Sequence, residues 1–502
     1  MELTFQTSPL HFLRCTVQEV HFQEETMDTI VPDSYPDIAF ILDCYADSIV
    51  RGKECRDRNV VISGGLKGGI LYQPENESTP RCLELYMPFS VKFDNPELTE
   101  HSQVIVSVRV RSVDARMINS RKAMLRVGLG CEITAYQEDK EEVYELKSTD
   151  PRIQVKTEQY FVELPLEASE KSFVLNDTID LSGHPDIQQI YKTVLSLYPS
   201  DQKVVANKAI FKGNLSCKIL YMTADNSMHC LHQQFPYSQY CELTTDYDEE
   251  TVTVYPVITG YDVQSDPSDR SSALQINVNI LMQCLVTGRK ELNLVTDAYS
   301  ISGSMDPVWK TYSFNTCLDN LTVQKNVRKT LSGNIRSVLD LDLYWDYPAL
   351  RQNENGKSII LPVTIHALGK DEDGLWVQKS ERTEICEDIQ MDGTCMCKAT
   401  MIPISDAYAV LTAGGAEINA VVQLRSLCCA GNTLKTLSGA EIKESEETND
   451  KVPSLIVKSA EKNTPIWDLA KYYRTTEHLI KTANGLSADH IPEDMLVLLP
   501  IT

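Results

Sequence analysis

The sequence predicts a mainly β chain: three antiparallel, β-rich repeat domains followed by a small βααβ module of α+β type. Three observations carry that prediction: long runs in which apolar and polar residues alternate, a self-similarity at an offset near 149 residues, and a tail whose apolar spacing switches to a helical period. Alternation puts one strand face on a core and the other toward water, whereas a 3.6-residue period marks a helix.

The alternation is clearest in VIVSVRVRSV at 104–113, TVTVYPVITGYDV at 251–263 and INVNILMQCLV at 276–286. Turn-rich stretches such as LGKDEDGLW at 368–376 and TAGGAEI at 412–418 separate the strands, as hairpins require.

The repeat emerges from two blocks at one offset. VPDSYPDIAFIL at 31–42 is answered by LSGHPDIQQIY at 181–191, so that Pro36, Asp37, Ile38 and Ile41 meet Pro185, Asp186, Ile187 and Ile190. GGLKGGILY at 64–72 aligns with GNLSCKILY at 213–221 at the same offset. A fainter third copy pairs VYPVITGYDV at 254–263 with MIPISDAYAV at 401–410, but no proline-aspartate pair recurs near 311–330, which predicts a third unit divergent or truncated at its front. Within each proline-aspartate segment, proline at a first helical turn, aspartate at the positive helix start and Ile38, Ile41 and Leu42 at i, i+3 and i+4 predict one short helix per repeat.

These blocks divide the 502 residues into repeats over 1–165, 166–310 and 311–439, an acidic linker over 440–453 and a module over 454–502. Several domains are expected at this length, because a single core stops growing well before it. The linker reading rests on AEIKESEETNDKVPS, rich in charge and nearly devoid of apolar anchors.

The net charge of −24 argues against attraction to nucleic acid or an anionic lipid surface by bulk charge. The opening MELTFQTSPLHFLRC has no basic segment ahead of an apolar core, and no apolar run approaches a membrane span, so a cytosolic chain without membrane insertion is expected. Fifteen scattered cysteines read as small buried hydrophobes in a reducing compartment.

No catalytic, cofactor or metal residues are expected. Gly64 to Gly69 lacks the glycine-lysine-serine or threonine ending of a phosphate loop, and its repeat partner is a plain strand. His229, Cys230 and His232, near Cys217 and Cys241, lack the C-x-x-C spacing of a strong zinc site, and Cys395-Met396-Cys397 reads as a strand with two thiols on one face. No G-x-S-x-G or H-E-x-x-H signature occurs.

In the tail, SLIVKS at 454–459 and MLVLLP at 495–500 bracket two helices. Thr464 is placed as N-cap with Pro465 at the first helical position, ahead of the stripe Ile466, Leu469, Ala470 and Tyr473. Thr475 or Thr476 caps the second helix, and Gly485 suits its left-handed end.

Ile466-Trp467-Asp468-Leu469-Ala470, Tyr473, Ile480, Asn484-Gly485-Leu486, Ile491-Pro492 and Leu496 to Pro500 resemble a LysM module, a fold best known for binding N-acetylglucosamine polymers such as peptidoglycan. The departures fall in the two loops that line the family's sugar groove. Lys462-Asn463-Thr464 replaces a glycine-aspartate-threonine run, and Glu493-Asp494 after Pro492 replaces glycine-glutamine. A lost glycine removes close backbone approach to a ligand, which turns the expectation from glycan to protein. Lys462, Asn463, Thr464, Pro492, Glu493 and Asp494 are the expected contact residues.

VPDSYPDI, GGLKGGILY and LVTDAYS at 294–300 resemble SPOCS domains of spore-forming bacteria, and SPOCS repeats followed by a LysM module resemble the architecture of SipL-like spore coat morphogenetic proteins of clostridia. The resemblance implies a noncatalytic adaptor in the mother cell, at the forespore surface, whose LysM module engages the stage IV sporulation protein A, an ATP-hydrolysing coat scaffold. Other coat proteins are further expected partners. The competing expectation is a peptidoglycan-binding protein of the wall or cortex.

Overall fold

Alternation sustained over long runs produces strands well beyond the usual five or six residues. The computed structural model describes residues 3–248, 250–265, 273–313, 316–353, 356–389, 396–403, 406–430, 433–444 and 454–501. The first repeat comprises β1 (Leu3–Ile30), β2 (Ile38–Arg56), β3 (Asn59–Pro74), β4 (Arg81–Asp94), β5 (Gln103–Asn119) and β6 (Lys122–Thr149). The second comprises β7 (Ile153–Asp180), β8 (Ile187–Thr223), β9 (Met228–Tyr247), β10 (Thr251–Ser265) and β11 (Ala273–Ser300). The third comprises β12 (Gly303–Tyr312), β13 (Thr316–Ser332), β14 (Ser337–Trp345), β15 (Ala349–Asn353), β16 (Gly356–Lys370), β17 (Trp376–Ile389), β18 (Met396–Pro403), β19 (Tyr408–Thr412), β20 (Gly415–Ala430) and β21 (Leu434–Glu444). β22 (Leu455–Ala460), α1 (Ile466–Tyr473), α2 (Glu477–Asn484) and β23 (Met495–Pro500) form the tail. Among the described residues no helix is long and apolar enough to cross a membrane.

Each repeat pairs its own two ends. β1 runs antiparallel to β6 from Leu3 opposite Thr149 to Ile30 opposite Lys122, and β7 runs likewise against β11. In the third repeat two pairs share that role, β12 with β21 and β13 with β20. β5, β10, and β18 with β19 flank the last long strand, and a second sheet packs across this one. The enclosed cores gather Ile62 and Leu66 with Leu125 and Val127, Phe211 and Leu215 with Ile276 and Val278, and Leu361 and Val363 with Ile418 and Val422. Full burial of each such side chain contributes about 1.5–3 kcal/mol.

The outer halves of the long strands pack on one another as a stalk. Phe12, Val162 and Tyr312, each 150 residues from the next, share one cluster. Phe5, Val155 and Met305, at the same spacing, share another with Val295 and Leu437. One residue per repeat at each level gives the stalk pseudo-threefold symmetry. The second sheets also converge, for Leu42 and Leu71, Tyr191 and Leu220, and Leu368 with Leu339 pack in a single cluster.

Four expectations are corrected. The boundaries expected after residues 165 and 310 fall inside strands β7 and β12, so the second repeat opens at Ile153 and the third at Gly303. The proline-aspartate segments form no helix: residues 32–37 are turn and coil, and Ile38 and Ile187 open strands. Irregularities between Ile38 and Phe40 and between Ile41 and Asp43 break the two-residue period there, so that Ile38 enters the core of the first repeat while Leu42 faces the cluster where the repeats meet. Asp37 binds Arg121 Nη1 and Ser120 Oγ, each at 3.0 Å, tying the turn to the β5–β6 hairpin.

The front of the third repeat is not truncated. Leu331-Ser332-Gly333 repeats Leu181-Ser182-Gly183 at an offset of 150, and both glycines adopt positive φ, 87° and 135°, at the same strand-to-strand turn. The linker also starts later than expected, because Ala440 to Glu444 complete β21 opposite Gly303 to Pro307.

The glycine-rich stretch is strand β3. A side chain at Gly64 would sit 2.2 Å from the Ile49 carbonyl oxygen, and one at Gly69 would sit 2.6 Å from the Tyr45 ring. Close packing accounts for these glycines. Of the cysteines, Cys217, Cys241 and Cys284 are core residues and His232 bonds Ser216 rather than a thiol. Cys395 lies outside the described residues.

Candidate partner-docking site

The tail folds from its apolar spacing as a compact unit. β22 pairs antiparallel with β23, and Ile466, Ala470, Ile480, Ile491, Val497 and Leu499 are almost fully buried beneath the two helices. Thr476 accepts a hydrogen bond from the Leu479 amide at 3.2 Å, and Gly485 ends α2 at φ 64°. At α1 the cap differs from expectation: Pro465 occupies the N-cap position, with extended backbone and no side-chain cap. Thr464 is drawn instead into the neighbouring loop.

The two loops flagged in the sequence lie side by side. Asp494 Oδ1 accepts the Lys462 amide at 2.8 Å, the Ile491 carbonyl accepts the Asn463 amide at 2.8 Å, and the Thr464 carbonyl accepts the Ile491 amide at 2.9 Å. Asn463 takes a left-handed φ of 66°, a conformation asparagine tolerates better than most residues. Lys462, Asn463, Pro492, Glu493 and Asp494 are exposed and Thr464 is half-buried. All six therefore belong to one small surface held by backbone bonds, carrying one lysine and two acids.

The sequence did not reveal what lies under the module. Both Asp297 carboxylate oxygens contact the Lys471 ammonium, at 2.6 and 2.7 Å, and one also accepts the Trp467 indole N–H at 2.8 Å. Tyr299 donates to the Thr475 carbonyl at 2.7 Å and meets the Trp467 ring edge-on at 5.0 Å. Tyr299, Trp467 and Thr475 are buried. Partial burial would raise the Asp297 carboxyl, but Lys471 and the indole N–H outweigh it and hold the group below the ordinary range. Asp297 and Tyr299 lie in LVTDAYS, the block singled out by resemblance, at the end of β11. The tail is thus seated on the second repeat by its α1 face, leaving the two loops outward.

A second polar centre joins all three repeats. Asp43, Lys192 and Asp342 stand at corresponding positions, 149 and 150 residues apart. Lys192 Nζ bonds Asp342 and lies 2.6 Å from Asp340 and 3.9 Å from Asp43, while Lys218 Nζ reaches Asp340 at 2.7 Å and Asp342 at 2.5 Å. Asp43, Asp340 and Asp342 are the one group of metal-type ligands close enough together among the described residues, but the two ammoniums already bind these carboxylates. Burial raises Asp43 to about 7, with Asp342 and Asp340 adding to the shift and Lys192 opposing it. Burial would raise Asp340 as well, yet Lys192 and Lys218 bring it well below the carboxylate range. The aligned offset was legible in the sequence, but an aspartate facing a lysine at one repeat position reads there as divergence.

Residues 37–118 and 186–265 match the family described as SipL, SPOCS domain. The two matches fall in the first and second repeats and cover about a third of the chain. No curated protein and no solved structure matches this chain.

Proposed function

We propose that this chain is a noncatalytic adaptor of endospore coat assembly that docks through its tail module on the stage IV sporulation protein A scaffold and helps place coat around the forespore. The observation that carries the reading is the match of the first two repeats to the SipL SPOCS domain. The exposed surface of Lys462, Asn463, Glu493 and Asp494 supports the tail as the docking part, because its charges are free to pair with a partner while its backbone is already ordered. Three rigidly joined repeats would then carry the tail at the end of a stalk, and contacts made elsewhere on the body would add to its affinity by proximity.

The test is capture of the purified scaffold by the full chain, compared with charge reversals Lys462→Glu and Glu493→Lys. Loss of capture in the variants, with the fold intact by circular dichroism, is the expected result. Equal capture by all three chains, or saturable binding to purified peptidoglycan in place of the scaffold, overturns the reading.

A further inference from the structure

Both strands of the tail carry apolar runs without alternation, Leu455-Ile456-Val457 in β22 and Leu496 to Leu499 in β23. A strand with one face on a core and the other in water alternates, whereas an unbroken apolar run marks a strand covered on both faces. The register separates the two faces here. Ile456 opposite Leu499, Lys458 opposite Val497 and Ala460 opposite Met495 share the face toward the helices, where Ala460, Val497 and Leu499 are buried. Leu455 opposite Pro500, Val457 opposite Leu498 and Ser459 opposite Leu496 form the other face. On that face Leu455, Val457, Leu496 and Leu498 are 36 to 67 % exposed, so apolar side chains suited to burial meet water.

Two strands of six residues, about 4.8 Å apart, present a face roughly 10 Å wide and 20 Å long, the footprint of one α-helix of about 13 residues. A strand added to either edge would pair backbone groups and leave the four apolar side chains in water. A helix laid across the face covers all four. The end of the face nearest the two loops is bordered by Glu461, Glu493 and Asp494 against one cation, Lys462, all exposed. Lys458, the other cation of these strands, belongs to the helix-covered face. Because the whole chain carries −24, a second copy or an anionic lipid surface would bring like charge to this border. A basic flank complements it.

We propose that the open face of the β22–β23 pair seats an amphipathic helix of another protein, its apolar stripe on Leu455, Val457, Leu496 and Leu498 and its basic flank at Glu461, Glu493 and Asp494. The loops then form the charged rim of an interface whose centre is apolar. The inference adds a second surface beside the loops assigned to docking, and it does not depend on which protein supplies the helix.

The test is calorimetric titration of the full chain, in about 0.15 M salt to screen distant charges, with a synthetic helix of about fourteen residues, leucine on one face and lysine on the other. Saturable one-to-one binding is expected, at least about tenfold weaker for a peptide of the same composition with its leucines dispersed. Leu496→Lys and Val457→Lys, both at exposed positions, should each weaken binding by at least about tenfold, and Leu496→Glu by less than Leu496→Lys. Equal affinity for the dispersed peptide overturns the proposal, since the acidic surface alone would then account for binding. Unchanged affinity in both lysine variants also overturns it. A sedimentation mass of two chains that falls to one in Leu496→Lys assigns the face to a second copy, and flotation with phosphatidylglycerol vesicles that Leu496→Glu abolishes assigns it to a membrane; either result overturns the proposal. Where the lysine variants do not fold, carbene labelling of the unaltered chain decides: the peptide should reduce labelling of residues 455–459 and 495–500, and unchanged labelling there overturns it.

Discussion

Asp297 and Lys471, 174 residues apart in sequence, are joined by two contacts of 2.6 and 2.7 Å, so the last strand of the second repeat clamps the first helix of the tail. The clamp explains why a module behind an acidic segment is ordered against the body rather than free on its tether.

Asp297→Ala should release the tail. The partly exposed ion pair contributes about 0.2–1 kcal/mol, and the indole N–H bond to a charged acceptor about 1.5–3 kcal/mol. Hydrogen exchange should therefore rise by roughly one to three orders of magnitude across residues 466–473 while the repeats keep their protection. The Asp297 carboxyl is held below its unfolded value, so the clamp's contribution is complete above the ordinary aspartate range and fades only as pH falls through the depressed value. Docking unchanged at pH near 5 is the expected outcome.

Lys192→Met should destabilise the chain by about 3–5 kcal/mol in urea unfolding, because it strands Asp340 and Asp342 in a buried site with Lys218 as their remaining cation. Replacing Lys192, Lys218, Asp340 and Asp342 together by apolar residues should recover much of that loss, because no charge is then left unpaired. A quadruple variant as unstable as the single one would show that the centre contributes through packing and not through charge.

Asp43→Asn should flatten the pH dependence of stability. The folded carboxyl, raised to about 7 from 3.8, binds its proton more tightly than the unfolded one. Stability is then greatest at low pH for this group and falls as pH rises between those values, by up to about 1.4 kcal/mol per pH unit. Urea midpoints at pH 5, 6 and 7 compared between the two chains measure the difference. Gln378, which donates to Asp43 at 3.1 Å, can bond the asparagine carbonyl oxygen equally well.

Arg121→Ala should loosen the first proline-aspartate turn. Its guanidinium bonds the Val31 carbonyl at 2.9 Å, the Tyr35 carbonyl at 2.8 Å and Asp37 at 3.0 Å. Losing these contacts should cost about 1–3 kcal/mol and raise amide exchange over residues 31–38, with little change in the second repeat.

Much of this architecture was legible before any coordinates. Alternation at 104–113 and 276–286 found strands β5 and β11, and the 149-residue offset found the relation between the first two repeats. The apolar spacing around Ile466, Ala470 and Ile480 found the tail helices. The proline-aspartate segment misled because strand irregularities imitate a helical period over five residues, a window too short to separate them. The two loops that carry the six residues adjoin because both flank the same strand pair. Asp297 was invisible as a tail contact because its partner is far along the chain and an isolated aspartate beside an exposed helix has no periodic signature.

The pseudo-threefold centre has one further consequence. Three identical subunits meeting on such an axis would place three aspartates, or three lysines, at the position held here by Asp43, Lys192 and Asp342. Like charges at that spacing repel, so a homotrimer built from any one repeat would have to leave the position neutral. Linking the repeats in one chain lets each differ at the axis, and the charges that forbid self-assembly of the separate units become the signal for the order in which they fit.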